Sequence, residues 1–173
     1  MKTILRGAGI VAATALTVAG HVLAQQDSPV DRARELKRDQ QMVQTLIVSG
    51  LVLAAEKDPL RRADQCNRLA DRYATEIKLA VKDKDAVRAA QLGQQMQALL
   101  TRGVAQNLAV ARAAPQPDEP EIHRLGAWVT ITAKAIEDEL GNHPELEREE
   151  MQFTLQAVAQ GKAEVEQAVK GKQ

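Results

Sequence analysis

The sequence predicts an all-α fold, an antiparallel helical bundle of about five helices after a cleaved signal peptide, and three observations predict it. Beyond residue 29, apolar side chains recur three and four positions apart through most of the chain, the spacing of one helical face. The period-two alternation of a half-buried strand is nearly absent. Prolines fall between the periodic stretches, where they bound helices.

Composition narrows the classes further. The chain has 173 residues and a formal net charge of zero, with 45% hydrophobic and 27% charged residues, the profile of an ordinary globular domain. Ten Gly and six Pro are too few for a disordered or collagen-like chain. Cys66 is the only cysteine, so no intrachain disulfide and no C-x-x-C pattern can exist. Phosphate neutralisation needs surplus cations and base stacking needs aromatics, and with one Trp, one Tyr and one Phe at zero net charge neither is supplied. No nucleic-acid partner is expected.

Residues 1–24 read as a secretory signal peptide. Lys2 and Arg6 make a basic start, Gly7 to Gly20 is an uncharged, weakly apolar run, and Val22 and Ala24 put small side chains before a cleavage point ahead of Gln25. The uncleaved alternative is a membrane anchor, since Gly7 to Ala24 is about long enough for a thinned bilayer. Its Gly, Ala and Thr content and His21 near its end make it weakly apolar, which favours cleavage. Bacterial lipoproteins carry a cysteine after the cleavage point, where Gln25 stands here. The expected location is therefore periplasmic or extracellular.

The mature chain divides into a three-helix segment (25–114), a Pro-rich linker (115–120) and a two-helix segment (121–173). Residues 25–114 carry 15 Lys or Arg against 11 Asp or Glu, and residues 115–173 carry 6 against 12. Opposite charges on the two parts either select partners or attract each other weakly within one bundle.

Helix one, Val30 to Ala55, aligns Leu36, Val43, Leu46, Ile47, Leu51 and Ala54 on one face. Val48, Val52 and Leu53 spill onto other faces, and a helix apolar nearly all round is either central in its bundle or shared with another chain. Gly50 costs about 1 kcal/mol relative to Ala, which suggests a bend or a close backbone approach. Asp58 and Pro59 are placed to cap and open helix two, which runs to about Lys82 with Leu60, Ala63, Cys66, Leu69, Ala70, Tyr73, Ile77, Ala80 and Val81 inward. Asp64 and Arg68 form an i, i+4 pair outside.

After a tight link, helix three continues to about Ala113 with Val87, Ala90, Met96, Leu100, Val104, Leu108 and Ala111 on its inner face, so helices two and three form a hairpin. Three prolines mark 115–120 as the hinge. Helix four carries Ile122, Leu125, Val129, Thr132, Ile136 and Leu140. Helix five opens at Pro144, with Glu145, Glu147 and Glu149 near the positive end of its dipole, and carries Leu146, Phe153, Ala157, Gly161 and Val165. The tail, Lys170 to Gln173, is expected to fray.

Small residues, among them Ala63, Ala70, Ala86, Ala90, Gly93, Ala127, Ala133, Ala157 and Gly161, face the expected core and predict close helix approach with modest burial. Tyr73, Trp128 and Phe153 are expected as core plugs. Cys66 sits inward as a small hydrophobe, the alternatives being a bridge to another chain or a reactive thiol.

Catalytic, cofactor and metal residues are not found. His123 and His143 stand beside prolines or helix ends, no H-E-x-x-H or Glu-x-x-His occurs, and His143 with Glu147 is a two-ligand spacing interrupted by Pro144. The mature chain has only Ser28 and Ser49 as serine nucleophiles, one in the N-terminal tail and one in an apolar helix.

The stretch Asp58-Pro59-Leu60-Arg61-Arg62-Ala63-Asp64-Gln65-Cys66-Asn67-Arg68-Leu69-Ala70-Asp71, with Gly103-Val104-Ala105-Gln106-Asn107-Leu108 further on, resembles a group of exported helical bacterial proteins of unassigned role. The resemblance spans about half of the mature chain. It implies export and a helical hairpin, and no activity.

The expectation is thus a non-catalytic envelope protein, without cofactor, that acts by binding a protein in a regulatory role, with a homodimer through helix one. The alternatives are a periplasmic holdase-like chaperone or stress protein, and a small-ligand carrier or enzyme using a cavity between Ala-lined helices.

Overall fold

Proline 29 opens the first helix, α1 (Pro29–Ala55), of a computed structural model that describes residues 28–143 and 149–171. The signal-peptide reading of 1–24, the helix start at Pro144 with Glu145, Leu146 and Glu147, and the tail beyond Gly171 lie outside the described residues. The chain divides into two compact units, Met1–Asp39 and Gln40–Gln173. Of the first, the described part is Ser28 and the opening of α1; the second holds the rest of α1 and every helix that follows. Among the described residues there are helices and turns and no strand.

α2 (Pro59–Lys82) starts as its sequence requires. The Asp58 carboxylate accepts the backbone N–H groups of Leu60 (2.8 Å) and Arg61 (3.2 Å), and Pro59 takes the first turn, where a missing N–H costs nothing. The inward positions read from its sequence are buried, with Leu60 half-buried at the end. The chain leaves α2 through Asp83 and Lys84. Lys84 holds a left-handed φ of 59°, a conformation that disfavours a Cβ, and Asp85 then caps the next helix by accepting the Arg88 N–H at 2.9 Å.

One rod follows in three parts: α3 (Ala86–Leu99), a π-helical stretch (Leu100–Ala105) and α4 (Gln106–Arg112). The sequence predicts this course but not the change of pitch. Met96, Leu100, Val104 and Leu108 are all fully buried at successive spacings of four. In an α-helix each such step overshoots a turn by about 40°, so three would carry Leu108 round to the side of the helix. The wider π turn absorbs the excess and keeps all four on one line.

α5 (Glu119–Gly141) begins with Asp118 accepting the Glu121 N–H at 3.1 Å and Pro120 in the first turn. Glu119 and Pro120 therefore belong to the helix, not to the linker, because Pro in a first turn breaks no helical hydrogen bond. α6 (Glu149–Lys170) completes the described chain. α2 packs on α3 and α5, and α6 packs on α3 and α5, so the rods enclose one core, led by Ile77, Met96, Leu100, Leu108, Ile122, Leu125, Ile136, Val158 and Val165. The Pro-containing connection joins two stretches of this same packed unit.

Close approach is built on small residues. A Cβ on Gly161 of α6 would lie 2.9 Å from Leu100 Cδ1 and 3.3 Å from the Gln97 backbone, and one on Gly103 of the π stretch would lie 2.7 Å from Cys66 Sγ. Asn67, buried in α2, donates from Nδ2 to the Leu125 carbonyl of α5 at 3.0 Å, a buried polar tie across the seam.

Six further sequence expectations are corrected. Val87 is exposed, because α3 turns Ala86 and Ala89 inward. Ala127 is exposed while its neighbour Gly126 is buried, where only a hydrogen fits beside Val169. Phe153 is exposed, since the inner line of α6 runs Met151, Thr154, Val158, Gly161, Val165 and leaves Phe153 well round the helix. Trp128 is half-buried at a seam instead of filling the core. In α1, the stripe Leu36, Val43, Ile47 and Leu51 faces solvent; Met42, Leu46 and Leu53 are the side chains packed against the core. Gly50 has nothing within 4 Å of a Cβ position, so no backbone approaches it, and the helix runs through it unbroken.

Candidate interaction surface

Among the described residues, three places carry unusual surface chemistry. The first is the polar seam between α2 and α5. Arg124 grips Glu121 through both ends of its guanidinium, Nε to Oε2 and Nη2 to Oε1 at 2.6 Å each, and reaches Asp64 Oδ1 at 3.3 Å. Asp64 also accepts Arg68 Nε at 2.9 Å, the i, i+4 pair read from the sequence. The Arg124 guanidinium carbon lies 5.8 Å from the centre of the Trp128 ring, within cation–π range. Trp128 Nε1 donates to Asp71 Oδ2 at 2.8 Å, and the Thr132 hydroxyl donates to Asp71 Oδ1 at 2.6 Å.

The hydrogen bond from Arg124 holds the Glu121 carboxyl below the usual carboxylate range and pushes the guanidinium further up. A shallow depression of about 390 Å³ lies beside this cluster, lined also by Asp58, Arg61 and Asp118. The charges in the cluster answer one another, so the seam works as a clasp between two helices. Sequence reasoning found Asp64 and Arg68 from their spacing and missed Asp71 and Arg124, whose partners Trp128 and Asp64 lie about sixty residues away, and with them Glu121, three residues before Arg124.

The second place is an open groove of about 580 Å³ between the π stretch with α4 and the end of α6. Ala105, Ala109, Ala113 and Ala168 line it, with Arg112 and Glu164 at its edges. Arg112 Nη2 is 3.1 Å from Glu119 Oε2, so its charge is already answered from α5.

The residues weighed for chemistry are dispersed. His123 lies on the exposed side of α5, 3.9 Å from Glu119, and His143 at its end, 3.6 Å from Glu139. Ser28 precedes α1 and Ser49 lies within it. Cys66 is buried, its thiol pushed up by desolvation against the smaller opposing pull of Arg62, so a bridge to another chain would require the helix to open. Among the described residues, no three His, Cys, Asp or Glu side chains are grouped as metal ligands would be.

The third place is α1 itself. Of eleven large hydrophobic side chains exposed among the described residues, seven lie on this one helix: Val30, Leu36, Val43, Ile47, Val48, Leu51 and Val52. The other four, Val87, Val110, Ile131 and Phe153, are spread singly over four helices, and scattered single exposures are normal. Gln40 to Ala55 contains no charged residue at all. Even so, no helix among the described residues is long and apolar enough to cross a membrane. Val43, Ile47, Leu51 and Ala54 make a continuous stripe, Val48 and Val52 extend it sideways, and Met42, Leu46 and Leu53 face the core.

No family model matches the chain, and neither a curated protein nor a solved structure matches it.

Proposed function

We propose that this chain is an exported, non-catalytic helical protein of the bacterial envelope that acts by binding another protein through α1, in a regulatory role. The reading takes residues 1–24 as a signal peptide removed on export and the helices as an antiparallel bundle that displays α1. The observation that carries it is the concentration of exposed aliphatics on α1, seven of the eleven, in a stretch whose uncharged length gives water little to solvate. The charged clasp at Asp64, Glu121 and Arg124 supports a structural use for the polar residues, and the histidines and serines lie apart.

A photoreactive side chain at Ile47, activated in intact cells, should join the chain to a protein in discrete bands. The same side chain at Val110, an isolated exposed aliphatic of the bundle, should give far less. Equal and diffuse labelling from both positions, or none from Ile47, would overturn the reading.

A second reading, a holdase-like chaperone, is favoured by one feature: Val48 and Val52 widen the apolar stripe to a second side of α1, which suits loose grip on many clients. It requires purified protein to suppress aggregation of an unfolded client, and Ile47→Asp to weaken that suppression.

A further inference from the structure

We draw no further inference here: the strongest candidate, the alanine-floored groove between the π stretch with α4 and the end of α6, carries nothing, because Glu119 already answers the Arg112 charge at its edge and nothing in the structure shows what would lie on its small-residue floor.

Discussion

α1 and α2 are helices of similar length, 27 and 24 residues, each with aliphatics three and four apart, and they end up in opposite surroundings. α2 buries Ala63, Cys66, Leu69, Ala70, Tyr73, Ile77, Ala80 and Val81, while α1 leaves Val43, Ile47, Val48 and Leu51 more than half exposed. The difference lies in what occupies the remaining faces. α2 carries Arg61, Asp64, Arg68, Arg72 and Glu76 away from its apolar line, so only one orientation satisfies both its solvent and its core. Between Gln40 and Ala55, α1 has glutamines, one threonine and one serine as its polar residues, and any of several orientations covers some aliphatics and exposes others. An apolar stripe selects a face only when a charged face opposes it.

The largest test of this contrast is truncation on the two sides. Ile77→Ala in α2 should cost about 2–5 kcal/mol, because its side chain is fully buried, whereas Ile47→Ala in α1, 60% exposed, should change the stability of the bundle by less than about 0.5 kcal/mol. Urea unfolding followed by circular dichroism, carried out on dilute protein so that association does not contribute, measures both. Equal losses at the two sites would mean that α1 is as much part of the core as α2.

Glycines sharpen the comparison at a smaller scale. Gly161→Ala should destabilise by about 1–2 kcal/mol, since overpacking against Leu100 and the Gln97 backbone outweighs the gain in helix propensity. Gly50→Ala, with open space around it, should instead stabilise α1 by up to about 1 kcal/mol. Opposite signs from the same chemical change, read by thermal unfolding, would separate the packed helix from the open one.

The smallest effect concerns the clasp. The folded-state pKa of Glu121 is lowered by its hydrogen bond to Arg124, so the pair stabilises the fold above the ordinary carboxylate range and ceases to do so as pH falls through the lowered value. Its side chain is about a third exposed, and the contribution should be a few tenths of a kcal/mol. Glu121→Gln should flatten that part of the acid limb in a denaturant series at stepped pH, and an unchanged acid limb would remove the clasp from the account.

Much of the bundle was legible beforehand. The cap at Asp58 follows from a short acceptor beside a proline, and the whole inner line of α5, from Ile122 to Leu140, follows from period alone. The π turn also left a trace, in the run of fourfold spacings from Met96 to Leu108, which a constant α pitch cannot keep on one face. Phe153 misled because a large apolar residue draws a predicted stripe toward itself, while the face of α6 was set by Gly161 against Leu100. The clasp was invisible for a different reason: Asp71 with Trp128 and Asp64 with Arg124 are separated by about sixty residues, and nothing in local spacing records which helices become neighbours.

The sequence by itself determined the cap and start of α2 and the apolar lines of α2 and α5. Those are matters of local geometry, settled within a turn or two of chain. Only the tertiary structure decided which glycines meet a neighbour, which acid answers Arg124, and that α1 presents Val43, Ile47 and Leu51 outward. These depend on distances between segments remote in sequence, and for α1 the faces were too alike for its own residues to choose between them.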